Sequence, residues 1–362
     1  MIGFFAGFSV LIFLLNLYYL FWAYRGLKKV ERSVSPQNST DYSFSIIIAA
    51  HNEASYINKC LESLIKQDYP KSNFEIIVVA DRCTDNTVKV AHQLKDKFPY
   101  LKIVEINDVP SDVSPKKYAL KCGIDEASFD HFILLDADVL PTHNHLKILN
   151  QYFSENTQVV VSIMKLTLQD SFWQNFLRYE RLCNWAVSAG SIKNENPIIS
   201  YGGNWAYTRH AFNAVNGFEN IFQSLGGDDD LLLQKFGREN LEIQFCSNPE
   251  GWVTTQAPES LQRFIQQRRR HFAAGKYYQI KFKLGYFLYH SSNFLLWISP
   301  FIYLPAIFLL ILKILGNIKL GILSGRIFRE RISKYQIPVF EFLFMIYNEI
   351  VGILGFIGRV KW

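Results

Sequence analysis

Cysteine and histidine are scarce in this 362-residue chain, and neither forms a pattern of metal ligands. The five cysteines are scattered and odd in number, without a Cys-x-x-Cys pair, which favours free thiols in a reduced compartment. The eight histidines include no His-x-x-x-His pair, so a zinc site is not expected. Gly-x-x-x-x-Gly-Lys-Ser/Thr and Gly-x-Ser-x-Gly are also absent, which argues against P-loop and serine-hydrolase chemistry.

Charged residues are absent from the first apolar segment, which runs from Ile2 to Tyr24. A helix of this length can cross the hydrocarbon core of a membrane. A cleaved signal peptide is the alternative, but no Lys or Arg precedes the run and aromatic residues end it. The following basic residues predict that the chain continues in the cytoplasm: Arg25, Lys28, Lys29 and Arg32. We therefore predict a transmembrane anchor over residues 1–25 and a linker over 26–43, with a polar stretch from Ser33 to Asp41.

The C-terminal part, residues 284–362, is predicted to form membrane or interfacial helices. Tyr286–Leu312 contains two prolines, so it forms either one kinked span or two short halves, crossing or re-entering the membrane. Ile337–Ile357 either crosses the membrane or lies at its surface, because it carries three residues that are costly in lipid: Glu341, Asn348 and Glu349. A basic linker is expected between the two segments, with Lys313, Lys319, Arg326, Arg329, Arg331 and Lys334.

The net charge of +6 favours binding to an anionic partner, and the two candidates are nucleic acid and anionic lipid. The excess of positive charge lies beside the apolar segments, whereas the middle of the chain is rich in aspartate. We therefore expect contact with membrane lipids and none with nucleic acid.

Residues 44–283 show alternating strand and helix patterns. Short apolar runs predict strands at Phe44–Ala50, Phe74–Ala80, Leu101–Ile106 and Phe132–Leu135. Helical spacing appears between them, and Lys116–Ser128 is the clearest example. This alternation predicts an α/β fold with a doubly wound sheet, in which ligands bind at the carboxyl ends of the strands.

Acidic residues follow these strands at the edge where a ligand is expected. Asp136 and Asp138 come directly after the fourth strand and could hold Mg²⁺ or Mn²⁺ together with substrate phosphates. A solvated turn that caps a helix is the alternative. Asp81 follows the second strand and is assigned to a ligand, whereas for Asp85 a ligand role and a capping role both stay open. His51 and Glu53 follow the first strand.

Two further clusters have both a functional and a structural interpretation. Asp228, Asp229 and Asp230 follow two glycines and precede a leucine-rich helix. One acid suffices to cap a helix, so three suggest a general base with a raised pKa. Gln267 and Arg270 are three residues apart and share a helix face that could bind a diphosphate, although a basic stretch before a membrane segment needs no such role.

Taken together, these segments resemble the family 2 glycosyltransferases of the GT-A fold, a mixed α/β sheet, over most of residues 44–275. The matching segments are SIIIAAHNEASYINKCLESLIKQ, IIVVADRCTDNT, SPKKYALKCGI, LLDADV, GGNWAYTRHAFNAVNGF, GGDDDLLLQKF and QRRRH. Four positions depart from the family pattern: Pro115 replaces Gly, Lys121 replaces Asn, Asp228 replaces Glu, and His271 replaces Trp.

The resemblance implies a role for each matching residue. Glu53 and Asp81 would contact the base or ribose, Lys116 would lie near the base or diphosphate, and Asp136 and Asp138 would reach the diphosphate chiefly through the metal. The donor site would also include His51, Gln267 and Arg270. The Gly-Gly segment would face the acceptor through Gly203, Asn204 and Trp205. Asp229 would be the general base, with Asp228 in place of the usual Glu.

These observations predict an inverting, metal-dependent glycosyltransferase in the cell membrane, with its catalytic domain in the cytoplasm. The donor would be a nucleoside-diphosphate sugar, and the acceptor a lipid-linked or glycan molecule of the cell envelope. A processive polysaccharide synthase is the first alternative. A membrane-bound nucleotidyltransferase and a non-catalytic scaffold are the others.

Overall fold

The computed structural model describes residues 2–33 and 40–357, so residues 34–39 of the predicted polar stretch lie outside the described residues. The chain forms two units that interleave along the sequence. One comprises residues 34–167 and 197–258, and the other residues 1–33, 168–196 and 259–361. The predicted domain 44–283 is thus divided between an α/β unit and a helical unit.

The α/β unit contains all of the strands found among the described residues. Its strands are β1 Phe44–Ala50, β2 Phe74–Asp81, β3 Leu101–Ile106, β4 His131–Asp136, β5 Leu140–Pro141, β6 Thr157–Val161, β7 Met164–Thr167, β8 Asn204–Thr208, β9 Glu242–Phe245 and β10 Val253–Gln256. Its helices are α2 Ile57–Ile65, α3 Thr87–Lys95, α4 Pro115–Asp125, α5 His145–Tyr152, α7 Arg209–Ala214 and α8 Asp230–Arg238.

The main sheet has seven strands in the order β3-β2-β1-β4-β8-β6-β9. β3, β2, β1 and β4 are parallel, whereas β8 is antiparallel to both of its neighbours. A second sheet, β5-β10-β7, has three strands. The predicted α/β fold with a mixed sheet is confirmed. β1 and β2 are almost entirely buried, because helices cover both faces of a parallel sheet and require apolar residues on both.

Helix α4 packs closely on β1 and β2, and Gly123 allows this approach. A Cβ atom at Gly123 would lie 2.5 Å from Cγ2 of Ile47 and 3.1 Å from Cγ2 of Val79. Both partners are fully buried and β-branched, so they have little freedom to move aside. The helix begins at Pro115, whose missing N–H costs nothing in a first turn.

The helical unit consists of α1 Ile2–Arg32, α6 Phe172–Lys193, α9 Leu261–Ala274, α10 Ile280–Ile302, α11 Ala306–Ile327 and α12 Ile337–Phe356. Among the described residues, α1, α11 and α12 are long and apolar enough to cross a membrane. α1 continues to Arg32, past the predicted boundary at residue 25. Its packing against α6 is close at Gly26, where a Cβ atom would lie 2.4 Å from Cα of Gly190.

The C-terminal segments differ from the sequence-based expectation in one respect. Helix α10 ends at Ile302 and α11 begins at Ala306. Helix α11 then includes much of the predicted basic linker. Lys313 is buried within α11, where it forms an ion pair with Glu341 of α12 and donates a hydrogen bond of 2.6 Å to Asn293. The mutual pairing of these charges accounts for a lysine and a glutamate inside two apolar helices.

We predict that Gly123→Ala lowers the stability of the protein. Overpacking costs about 1–3 kcal/mol, whereas the gain in helix propensity is only ~0.5–1 kcal/mol. Gly7→Ala in α1 is the control, because a methyl group there would have no neighbouring side chain or packed segment within 4 Å. Thermal unfolding in detergent should give a lower midpoint for Gly123→Ala and an unchanged or higher one for Gly7→Ala. Equal midpoints for Gly123→Ala and the wild type would contradict the close packing of α4.

Candidate active site

The carboxyl ends of β1, β2 and β4 lie side by side and bring the predicted donor residues to one edge of the sheet. Ala49 of β1 is aligned with Asp136 of β4, and Ala50 with Ala80 of β2. Nδ1 of His51 lies 2.6 Å from the main-chain oxygen of Asp81. The loops after β1 and β2 are therefore joined directly.

Asp81 is buried, and both of its carboxylate oxygens are bound by the next residue. Nε of Arg82 donates to Oδ1 at 2.7 Å, and Nη2 donates to Oδ2 at 3.0 Å. Arg82 has a φ of 45°, which turns its backbone back toward the strand end. Arg82 was not predicted as a partner of Asp81, although a basic residue directly after a predicted ligand aspartate is a visible signal. A base or ribose that binds Asp81 must therefore share it with Arg82 or displace Arg82.

Asp85 holds the two loops together and caps α3. Its carboxylate accepts hydrogen bonds from the main-chain N–H of Thr87 at 2.9 Å and of Ala54 at 3.1 Å. Oγ1 of Thr87 in turn accepts from the main-chain N–H of Glu53 at 2.8 Å. These contacts match the capping alternative for Asp85, and they fix the backbone of Glu53 beside the strand ends.

Negative charge accumulates where β1 and β4 end. Burial, helped by the charges of Asp138, Asp136 and Asp85, raises the pKa of Glu53 to about 7. Burial also raises the pKa of Asp138, with Asp136 as the second cause. Oγ1 of Thr255 in β10 donates to Oδ2 of Asp138 at 2.9 Å and orients it. Carboxylates that oppose each other's ionisation form a site that favours a bound cation.

Lys116, in the first turn of α4, connects this cluster to a second group of acids. Its Nζ lies 2.9 Å from Oδ1 of Asp136 and 3.1 Å from Oδ2 of Asp228. Burial opposes the charge of Lys116, but the two carboxylates outweigh burial and raise its pKa. The ammonium therefore stays charged between the end of β4 and the start of α8.

The three aspartates at the start of α8 have different environments. Burial raises the pKa of Asp228, but Lys116 and Lys117 outweigh it, so the net shift is downward. Burial raises the pKa of Asp229 to about 6, and Asp228 contributes to the rise. Oδ1 of Asp230 accepts from the main-chain N–H of Ser200 at 2.8 Å, which is a structural contact. Of the three, Asp229 has the pKa and the partial exposure that a general base needs.

Asp229 also caps α8, as the capping interpretation of this cluster requires, and its role as a general base stays a prediction. Its Oδ1 accepts from the main-chain N–H of Asp230 and its Oδ2 from that of Gly202, both at 2.7 Å. These contacts fix the direction of the carboxylate, and each oxygen keeps a second lone pair for a proton.

Two adjacent glycines, Gly202 and Gly203, pass close to the carboxylates of Asp228 and Asp136. A Cβ atom at Gly202 would lie 2.8 Å from Oδ2 of Asp228, and one at Gly203 would lie 2.5 Å from Oδ2 of Asp136. Only glycine allows the backbone to pass this close to both carboxylates. Gly203, which was predicted on the acceptor side, therefore lies against the candidate metal ligand Asp136.

Asn204 and Trp205 differ from the expectation of an acceptor contact. Both side chains are fully buried in β8. Nδ2 of Asn204 donates to the main-chain oxygen of Ile163 at 2.8 Å, and its Oδ1 lies 2.9 Å from Nε2 of the buried His145. Trp205 packs on Tyr207. Their burial supports a structural role, because neither side chain reaches the surface where an acceptor binds.

The donor set at β4 fits a divalent cation with part of its coordination left for a substrate. Within residues 2–33 and 40–357, no group of three or more His, Cys, Asp or Glu side chains could enclose a metal ion. Asp136 and Asp138 are half-buried carboxylates in surplus negative charge, and Mg²⁺ or Mn²⁺ is commonly held by one or two carboxylates together with substrate phosphates. Gln267 and Arg270 lie on α9 in the helical unit, so their contact with a diphosphate stays a prediction.

Comparison with known proteins identifies the same class of chain. The model of the family described as "Glycosyltransferase like family 2" matches residues 41–274, more than half of the sequence. A probable glycosyltransferase of Bacillus subtilis, YdaM, is 26% identical over 287 residues, which cover 76% of this chain and 67% of the relative.

Two further matches are informative. A dolichyl N-acetyl-α-D-glucosaminyl phosphate 3-β-D-2,3-diacetamido-2,3-dideoxy-β-D-glucuronosyltransferase of Methanococcus voltae is 39% identical over 104 residues, 28% of this chain and 31% of the relative. The chain thus matches less than a third of that relative's length. The mannosyltransferase PcManGT of Pyrobaculum calidifontis, solved with GDP-Man and Mn²⁺, covers 98% of this chain and 99% of its own, with 19% identity and a TM-score of 0.63. This likeness shows the fold.

Proposed function

Because the chain belongs to glycosyltransferase family 2, we propose that it moves a sugar from a nucleoside-diphosphate sugar to a membrane-associated acceptor, with inversion at the anomeric carbon and with Mg²⁺ or Mn²⁺ bound. The observation that carries the proposal is the bridge made by Lys116. The Nζ of Lys116 contacts both Asp136, at the strand ends where the donor would bind, and Asp228, next to the candidate base Asp229. The Lys116 bridge would thereby keep the donor, the cation and the general base close together.

Asp229 would accept the proton of the acceptor hydroxyl. The hydroxyl oxygen forms the new bond to the anomeric carbon from the face opposite the leaving group, which inverts that carbon. The electron pair of the breaking C–O bond leaves with the nucleoside diphosphate. A hydroxyl is a poor nucleophile without a base, and Asp229 is held for this role by Gly202 and Asp230.

The leaving diphosphate needs positive charge nearby. Asp136 and Asp138 would hold the cation, which when bound supplies neutralisation of the developing charge on the diphosphate. Lys116 adds a fixed ammonium at the same place, and Arg270 is the further cation predicted from the sequence. The nucleoside would bind at the sheet edge formed by the ends of β1 and β2. This edge is lined by Asp81, Arg82, Glu53 and His51.

A membrane-associated acceptor is supported by the helical unit. α1, α11 and α12 are each able to cross a membrane by length and composition. The archaeal relative named above acts on a dolichyl phosphate sugar, which is a lipid-linked acceptor. We propose an acceptor of this chemical class and a cytoplasmic α/β unit, in line with the basic residues that follow the apolar part of α1.

The reaction type is tested by its products. Incubation with UDP-glucose, UDP-N-acetylglucosamine or GDP-mannose and a polyprenyl phosphate sugar, which offers sugar hydroxyls, should release nucleoside diphosphate and form a longer glycolipid. A nucleotidyltransferase would instead transfer the nucleoside monophosphate group to the acceptor and release sugar 1-phosphate, and a scaffold would release nothing. Either outcome, with all three donors, would overturn the proposal.

The metal prediction concerns Asp138. EDTA should abolish nucleoside diphosphate release, and Mn²⁺ or Mg²⁺ should restore it. Asp138→Asn should lose most of the activity and keep the thermal midpoint of the wild type, because the amide keeps the contact with Thr255 but is a weaker ligand for a hard cation. Asp125→Asn, an exposed residue at the end of α4, is the matched control. Full activity in chelator would contradict a metal-dependent mechanism.

The base prediction concerns Asp229. Asp229→Asn should lower kcat by about 10²- to 10⁴-fold, while donor affinity stays near that of the wild type. Asparagine caps helices about as well as aspartate, but it can accept only one of the two main-chain hydrogen bonds that Asp229 accepts. A purely structural role therefore predicts a lower thermal midpoint and little loss of kcat in the folded variant. In the wild type, kcat should rise with pH and level off above about 6, because the carboxylate with its pKa raised to about 6 must be ionised to accept the proton.

Asp228→Asn is the comparison that locates the base. If Asp228→Asn is inactive while Asp229→Asn is nearly normal, the base is Asp228. If both variants transfer normally, the catalytic interpretation of this cluster is wrong.

A further inference from the structure

Lys117 is a fully buried lysine that the reaction described above does not use. It lies in the first turn of α4, next to Lys116, and none of its side chain is exposed. Its Nζ donates to the main-chain oxygen of Gly226 at 2.8 Å and also to that of Ser224. Buried lysines are rare unless their charge is paired, yet among the described residues Lys117 has no ion pair. Its direct partners are two carbonyl groups.

These two carbonyls belong to the segment that leads into the acid cluster. Oγ of Ser224 donates to the main-chain oxygen of Gly226 at 2.8 Å, which closes the turn. Gly227 follows with a φ of 74°, a conformation that favours glycine, and Asp228 comes next. A segment with such a turn needs external contacts to keep one position.

The contacts that hold this segment come from the start of α4. The main-chain N–H of Ser114 donates to the main-chain oxygen of Phe222 at 2.8 Å. Lys117 holds Ser224 and Gly226, on the near side of the Gly227 turn. Lys116 holds Asp228, on the far side of that turn. The two adjacent lysines thus have different tasks, one binding carbonyls and the other carboxylates.

We propose that Lys117 is a positioning residue that fixes the 222–228 segment and, through it, the carboxylate of Asp229. The proposal rests on the proposed role of Asp229 as the base. In this proposal, Lys117 does not contact the substrate. Its ammonium sets the distance between the Asp229 carboxylate and the acceptor hydroxyl, and a shift of about 1 Å in such a distance can cost on the order of 10²-fold in rate.

The field around Lys117 supports this assignment. Burial lowers the pKa of Lys117 to about 8, while Asp228 and Asp229 oppose that fall and Lys116 adds to it. The lysine is therefore kept charged near neutral pH mainly by the acids whose segment it holds. The attraction is mutual, because Lys117 also helps to lower the pKa of Asp228.

The test is a double-mutant cycle between Lys117→Met and Asp229→Asn. The readout is release of nucleoside diphosphate with water as the acceptor, using whichever of UDP-glucose, UDP-N-acetylglucosamine and GDP-mannose gives the largest thermal shift with Mn²⁺. Lys117→Met should lower kcat about 10- to 100-fold and change the Kd of the donor less than about threefold. In the Asp229→Asn background it should cost little more, because residues that act as a unit are not additive. Lys121→Met, an exposed position on the same helix, is the control.

Several outcomes would overturn the proposal. A kcat for Lys117→Met within twofold of the wild type would do so, as would losses that multiply in the double variant, or a loss of donor affinity without a loss of kcat. If Lys117→Met does not fold, Ser224→Ala decides, since it removes only the hydroxyl that closes the same turn. A lower kcat with unchanged donor affinity then supports the proposal, and a wild-type kcat refutes it. Failure of the proposed function would look different, because the wild type itself would then release no nucleoside diphosphate, and failure of the base assignment alone would leave Asp229→Asn fully active.

Discussion

Lys116 places one ammonium between Asp136 at the end of β4 and Asp228 before α8, at 2.9 and 3.1 Å. Several carboxylates converge here, and burial, with neighbouring carboxylates as further causes, raises the pKa values of Glu53, Asp138 and Asp229. Lys116 contacts two of the converging carboxylates directly, and the arrangement of the site depends on its position. Because Lys116 lies in the first turn of α4, the packing of that helix on β1 and β2 also positions the charge.

The same bridge relates substrate binding to chemistry. In the proposed mechanism, a divalent cation held by Asp136 would compete with Lys116 for that carboxylate, because both are positively charged. With the cation and a diphosphate bound, Lys116 would be left to interact with Asp228 and the leaving group. Lys117 would meanwhile keep the segment before Asp229 in place. The proposed account thus assigns separate tasks to two adjacent residues of one helix.

The sequence predicted the parts of this site that depend on strand ends. β1, β2 and β4 were recognisable because a parallel sheet covered on both faces requires short, wholly apolar strands, and the acids that follow them lie at one edge. The burial of Asn204 and Trp205 was not predictable in this way, because it depends on partners far away in the sequence, His145 and Ile163 for Asn204 and Phe236 for Trp205. The carbonyl contacts of Lys117 and the pairing of Lys313 with Glu341 depend equally on distant partners, which no local pattern reveals.

The most direct test of this account is the affinity for Mn²⁺ of the full-length protein in detergent, measured by electron paramagnetic resonance without donor at pH 8. Lys116→Met removes the ammonium that competes for Asp136 while keeping much of the apolar stem. The account predicts that Lys116→Met binds Mn²⁺ more tightly than the wild type and that Lys121→Met binds it equally well. Mn²⁺ binding that is unchanged or weaker in Lys116→Met would contradict the claim that Lys116 and the cation share one carboxylate.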